Sequence, residues 1–173
     1  MPDVLRLGTS TQPKEWHKYS ATIGVMIRIR EIDHLVLRVA NLEGMVDFYC
    51  RVIGCALERR QDKLGLVQLR AGRSLIDLVS ISGALGAAGG AAPGSEGRNL
   101  DHFCLRVEPF DLTEIRTFLA RNGVQTGDVE SRYGAEGEGP SIYLSDPEGN
   151  VIELKGPPAP QAQMNTVGAG RGT

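Results

Sequence analysis

Histidine is scarce in this chain, with three in 173 residues, and cysteine is equally scarce. An odd trio of cysteines (Cys50, Cys55 and Cys104) on expected helix or strand positions excludes a disulfide framework. It fits buried free thiols in a reducing cytoplasm. No apolar run is long enough to span a bilayer, and Ala21 to Ile27 is too short and wrongly flanked for a secretory signal. With 19 basic against 21 acidic residues the net charge is −2, so the basic footprint of a nucleic-acid binder is missing. The expected partner is a small molecule.

At 41% hydrophobic and 23% charged, the composition is that of a globular chain able to bury one core. Residues 1–25 lack a periodic pattern and read as a poorly ordered leader, with Met26 as an alternative start. Residues 26–157 read as one domain. Gly156-Pro157-Pro158 breaks the last expected strand, and 158–173 reads as a disordered tail. Residues 82–99 hold six glycines and five alanines, the composition of a flexible linker between a first half, 28–81, and a second, 100–157.

The two halves are copies. Ile32-Asp33-His34-Leu35-Val36-Leu37-Arg38-Val39 recurs as Leu100-Asp101-His102-Phe103-Cys104-Leu105-Arg106-Val107, 68 residues later (102 minus 34). Asn41 precedes a helical pattern of Leu42, Met45, Val46, Tyr49 and Ile53, ended by Gly54. Asp111 and Glu114 form a possible capping box ahead of Ile115, Phe118 and Leu119, ended by Gly123. Expected strands follow each helix: 55–60, 64–70 and 75–81, then 124–129, 141–144 and 151–155. Each half is therefore β, α, β, β, β. The closing strands align Asp77 with Glu153, an offset of 76, which places the extra residues between Glu130 and Pro140.

Successive strand residues face opposite sides of a sheet. Leu35, Leu37 and Val39, like Phe103, Leu105 and Val107, share the face that seats the helix. His34, Val36 and Arg38, like His102, Cys104 and Arg106, share the other, and Asp77 and Glu153 also avoid the helix-packing layer. Imidazole nitrogens and carboxylate oxygens suit divalent Zn, Ni, Mn or Fe. Two histidines that open the modules and two carboxylates that close them form a candidate four-ligand set: His34, Asp77, His102 and Glu153.

Over residues 28–157 the chain resembles the vicinal oxygen chelate superfamily of glyoxalase I, fosfomycin-resistance proteins, extradiol dioxygenases and bleomycin-binding proteins. The likeness rests on His34-x-x-Leu37-Arg38-Val39, Asp47-Phe48-Tyr49 with Val52-Ile53-Gly54, His102-x-x-Leu105-Arg106-Val107, and Asp146-Pro147-Glu148-Gly149-Asn150 leading into Glu153. It implies an α+β fold of two βαβββ modules whose curved mixed sheet encloses a cleft with one divalent metal ion. It also implies a small substrate that chelates the metal through adjacent oxygens. Proteins similar to glyoxalase I use all four positions as ligands. The dioxygenase and fosfomycin branches use only those matching His34, His102 and Glu153, and the shorter Asp77 leaves both patterns open.

The expectation is a metal-dependent lyase or isomerase of glyoxalase I type, with Glu153 as the proton-transferring carboxylate and Asp77 as its alternate or partner. A three-ligand dioxygenase or fosfomycin-type transferase is the alternative, although the opening histidine of the extradiol signature is absent. A non-catalytic binding module would not need the histidines. Arg38, Arg106, Tyr143 and Tyr133 are candidate substrate contacts, the last in a glycine-rich stretch (130–140) expected to be a mobile loop over the site. The linker permits a two-module site within one chain or across a homodimer.

Overall fold

A computed structural model describes residues 29–98 and 100–158, so the expectations for the leader, for Met26 and, beyond Pro158, for the tail lie outside the described residues. All elements fall in the unit from Ile32 onward. The first module runs β1 (His34–Val39), α1 (Leu42–Phe48) with a π-helical turn over Tyr49–Ile53, β2 (Ala56–Gln61), β3 (Leu66–Ala71) and β4 (Ser74–Ser80). The second runs β5 (His102–Arg106), α3 (Leu112–Arg121), β6 (Glu130–Gly134), β7 (Gly137–Ser145) and β8 (Val151–Lys155). A short helix α2 (Ala84–Ala87) lies in the connection. Each module folds into a four-stranded mixed sheet, of order β1-β4-β3-β2 and β5-β8-β7-β6. The duplicated α+β architecture expected from the repeat is present.

The caps behave as their residue types require. The Asn41 side chain accepts from the Gly44 amide and that of Asp111 from the Glu114 amide, each satisfying a donor that the first turn leaves open. Gly54 and Gly123 close the helical segments at φ +86° and +72°, the left-handed conformation that a side chain disfavours.

Both helix-packing faces feed one core. Leu37, Val39, Val67, Leu69, Ile76 and Leu78 of the first sheet join Phe103, Ile142, Leu144, Ile152 and Leu154 of the second, with Met45, Phe48 and Tyr49 of the first helical segment in the same cluster. Tyr49 is fully buried, and its ring stacks on Phe103 with centroids 6.5 Å apart. Its hydroxyl donates to the buried Asp146 carboxylate at 2.9 Å. Asp146 also accepts from the Glu148 and Asn150 amides and from Asn150 Nδ2. Glu148 accepts from the Ala40 and Asn41 amides. The segment 146–150, part of the motif shared with the superfamily, is thus also the clasp between modules.

Four expectations need correction. The strand expected at 124–129 is instead β6, Glu130–Gly134, and the stretch expected as a mobile loop is a β-hairpin. The cause is the length difference. The ladders pair Gln61 with Leu66 but Glu130 with Ser141, separations of 5 and 11, so six extra residues extend the second hairpin. The linker is not uniformly free: the Arg38 guanidinium donates to the carbonyls of Gly86, Gly89, Gly90 and Ala91. Of the cysteines, Cys55 is buried but Cys104 is exposed.

Candidate functional site

The histidines and carboxylates occupy equivalent places in the two sheets. His34 pairs with Leu75 and His102 with Val151, so each carboxylate stands two residues beyond its histidine's partner, on the same face by alternation. In each module the preceding aspartate holds the imidazole: His34 Nδ1 lies 2.8 Å from Asp33 and His102 Nδ1 lies 2.7 Å from Asp101. An ionised carboxylate only accepts, so the proton sits on Nδ1 and Nε2 is released for other work. That bond, reinforced by the charge of Asp77 and opposed by partial desolvation, raises His34 above its ordinary value. Asp33 and Asp101 were inside the sequence repeat all along. A carboxylate recurring beside each histidine was the signal for their role.

The second half-site is the better furnished. His102 Nε2 lies 3.3 Å from Glu153 Oε2. Around an ion with ligands at ~2.1 Å, neighbouring donor atoms sit ~3.0–3.4 Å apart, so this pair has the spacing of two adjacent ligands. Glu153 is buried and accepts from the Ser141 hydroxyl. Burial pushes its carboxyl up, but donation from Ser141 and Cys104, the charge of His102 and the Tyr143 hydroxyl outweigh it, holding Glu153 below its ordinary value. Partial burial and the Glu153 carboxylate push the Cys104 thiol up to about 11; it is a protonated donor at neutral pH. The Tyr143 ring meets His102 edge to face at 5.5 Å.

The first half-site is sparse. Asp77 is buried, and both its oxygens accept from the Gln68 side-chain amide, at 3.2 and 3.0 Å. Gln68 is the register counterpart of Tyr143, since each pairs with its module's carboxylate. Leu66 stands where the second module has Ser141.

The four candidate ligands do not gather in one chain. Among the described residues no three histidine, cysteine, aspartate or glutamate side chains form a metal-holding group. Closure of both modules on one site within a chain was one of the two arrangements the linker permits, and the shared core explains why the four do not meet here. Both sheets bury their helix faces against the same cluster, so the opposite faces, which carry the half-sites, turn outward. Of the candidate substrate contacts, Tyr143 stands beside His102, and Arg106 pairs with Glu136 at 2.7 Å. Arg38 is taken up by the linker carbonyls. Tyr133 is 82% exposed, on the β6 face opposite Arg132. A cavity of about 740 Å³ between Phe48, Val124, Leu144 and Asp146 includes Tyr143 and Val151 in its wall but neither His102 nor Glu153. The half-sites themselves are open surfaces.

The chain is 32% identical over 139 residues to virulence protein STM3117 of Salmonella typhimurium, covering 79% of this chain and 91% of that protein. The crystal structure of that relative superposes with a TM-score of 0.61 at 25% identity, covering 76% of this chain and 99% of the other. It is 29% identical over 135 residues to a catechol-2,3-dioxygenase of Bacillus subtilis, spanning 75% of this chain but only 43% of that enzyme. A lactoylglutathione lyase from Agrobacterium tumefaciens shares the fold, with a TM-score of 0.54 at 20% identity over 73% of this chain and 92% of its own. The sequence profile described as the Glyoxalase/Bleomycin resistance protein/Dioxygenase superfamily matches residues 31–154, and with the duplicated sheets this shows that the chain belongs to that superfamily.

Proposed function

We propose that the protein is a metal-dependent lyase or isomerase of glyoxalase I type. It acts as a homodimer, in the reducing cytoplasm that its free thiols suit, on a small substrate with vicinal oxygens. The observation that carries this reading is the pair of outward-facing histidine–carboxylate half-sites at equivalent register positions. Each supplies two donor atoms, so a four-ligand sphere needs both. Edge strands β1 and β5 each have a sheet partner on one side only, and apolar Val36 within β1 and Ile32 and Leu100 two residues ahead of β1 and β5 are exposed. Such edges are templates for pairing with another chain. A second copy laying its β5 beside β1 would bring His102 and Glu153 to His34 and Asp77, twice per dimer.

The donor set of two imidazoles and two carboxylates fits Ni, Zn, Mn or Fe in the divalent state. A bound ion of this kind supplies Lewis-acid polarisation of a substrate carbonyl. Glu153 takes the proton from the carbon next to that carbonyl and returns it to the neighbouring carbon. Ser141 and Cys104 orient its carboxylate, and Tyr143 is in place to hold a substrate oxygen. Asp101 fixes the His102 ring, and Asp33 does the same for His34. Asp77, whose two oxygens are engaged by Gln68, is the weaker fourth ligand.

The test is native mass spectrometry after loading with Ni²⁺ or Zn²⁺, which should give a dimer with two ions. His34→Ala and His102→Ala should each abolish loading. Dimers that mix the two variants should regain one ion, because one of the two composite sites then keeps both histidines. A monomer that holds its own ion would overturn the shared site. Gln68 tethering Asp77 and the similarity to the Bacillus dioxygenase favour a second reading, a three-ligand iron site with oxygen-dependent chemistry. Ferrous-specific loading with oxygen uptake on a catechol would select it.

A further inference from the structure

Two cations stand on neighbouring strands next to the second half-site, and one of them holds a carboxylate. Arg106 and Lys155 are direct register partners across β5 and β8, on strands about 4.8 Å apart. Their side chains share the site face, because each stands two residues beyond Cys104 or Glu153. Like charges so placed repel. Lys155 is only 5% exposed, although a buried ammonium normally demands a carboxylate partner. Its acceptors are instead the backbone carbonyls of Arg132 and Gly139, and among the described residues no carboxylate makes an ion pair with it. Those two bonds leave one of its three N–H groups over.

The inserted hairpin completes the arrangement. Its tip carries Glu136, which reaches across the sheet to Arg106 at 2.7 Å and is itself 62% exposed. Gly134 lets β6 lie flat on the lysine, since a Cβ there would come within 2.8 Å of the Lys155 side chain. The first module has no counterpart: Arg38 pairs with Val79 and is consumed by the linker. This cation pair therefore departs from the repeat and belongs to one half-site only.

We propose that Arg106 and Lys155 form a subsite for a substrate carboxylate, with Glu136 as its resident stand-in. Arg106 already holds a carboxylate, that of Glu136, and its planar fork suits that group. Lys155 contributes the free N–H. Lys155 lies two strand residues, ~6.6 Å, beyond Glu153, and Arg106 lies as far beyond Cys104, the register partner of Glu153. Resting on the function proposed above, this narrows the substrate to a molecule with chelating vicinal oxygens at one end and a carboxylate some two to three carbons away. Entry of that carboxylate displaces Glu136 and frees the hairpin tip.

The test compares Lys155→Met and Glu136→Gln with the parent, as full chains, by calorimetry. On Zn²⁺-loaded protein the parent should bind succinic monohydroxamate at least tenfold more tightly than acetohydroxamate, which chelates alike but lacks the carboxylate. Lys155→Met should erase that preference and Glu136→Gln should enlarge it severalfold, with acetohydroxamate affinity within about twofold throughout. On metal-free protein, malonate should bind in the order Glu136→Gln, parent, Lys155→Met. Equal malonate affinities, or a preference that survives Lys155→Met, would overturn the subsite. Failure to load Zn²⁺ with the malonate order intact would sink the metal reading alone. Because Glu136 is exposed at a hairpin tip, its variant reports even where Lys155→Met fails to fold.

Discussion

The two modules share one backbone plan and one pair of ligand positions, yet their open faces have diverged. The first offers His34 and an aspartate held by a single amide. The second offers His102 and a longer carboxylate held by a hydroxyl, with a tyrosine, a thiol and two cations around it. Backbone symmetry fixes where donors can stand. Residue choice at those places sets what each half can do: under the function proposed above, the first mainly holds and the second mainly reacts.

The division can be broken most severely at the carboxylates. Glu153→Gln should lower turnover of a hemithioacetal by about 10²–10⁴-fold, the worth of a positioned proton carrier, while Asp77→Asn should weaken metal affinity only about tenfold. Metal titration and steady-state rates on both variants decide it. Equal losses would mean that the halves are functionally symmetric.

Next in size is the clasp, which also belongs to one module: the β3–β4 turn has only Gly72-Arg73 where β7–β8 has Pro147-Glu148-Gly149. Asp146→Ala strands the buried Tyr49 hydroxyl, whose proton burial and Asp146 both retain, together with two amides. A cost of about 2–4 kcal/mol in urea unfolding is expected. Tyr49→Phe, which removes the donor but leaves Asp146 its other partners, should cost about 1 kcal/mol.

A smaller effect shows the support of the Glu153 carboxylate through pH. Because the folded Glu153 carboxyl lies below its ordinary value, it contributes stability above the unfolded value that is lost as pH falls through the folded one. Ser141→Ala removes a donor to the charged form, so acid unfolding of the metal-free protein should move to higher pH. An unmoved transition, in acid titrations followed by circular dichroism, would contradict the assignment of Ser141 as a donor that holds the Glu153 carboxylate in its charged form.

Much of this was legible before any coordinates. The repeat placed His34, His102, Asp77 and Glu153 on one face because period two is a local property of strands, and length bookkeeping located the insertion between residues 130 and 140. Two things were not legible. Outward-facing half-sites follow from Tyr49 and Phe48 being shared between sheets, a tertiary choice that strand periodicity does not encode. The shift of β6 to Glu130–Gly134 follows from the insertion carrying the ladder with it. Lys155 was within reach: it continues the alternation of Glu153 and breaks the repeat, having Val79 as its counterpart.

The finest test of the comparison lies in Asp33 and Asp101, where the halves remain alike. Both are almost fully exposed and each holds its neighbour's Nδ1, so each substitution to asparagine should weaken metal binding by only a fewfold, less than the 10–100-fold typical of buried outer partners. The two losses need not match. His102 is also placed by Glu153 and by the Tyr143 ring, whereas Asp33 is the one hydrogen-bond partner of His34 among the described residues. Asp33→Asn should therefore cost more than Asp101→Asn, in metal competition titrations at fixed pH. The opposite order would show that the sparse half-site is stiffened by the second chain, and that the asymmetry of the single chain is levelled in the dimer.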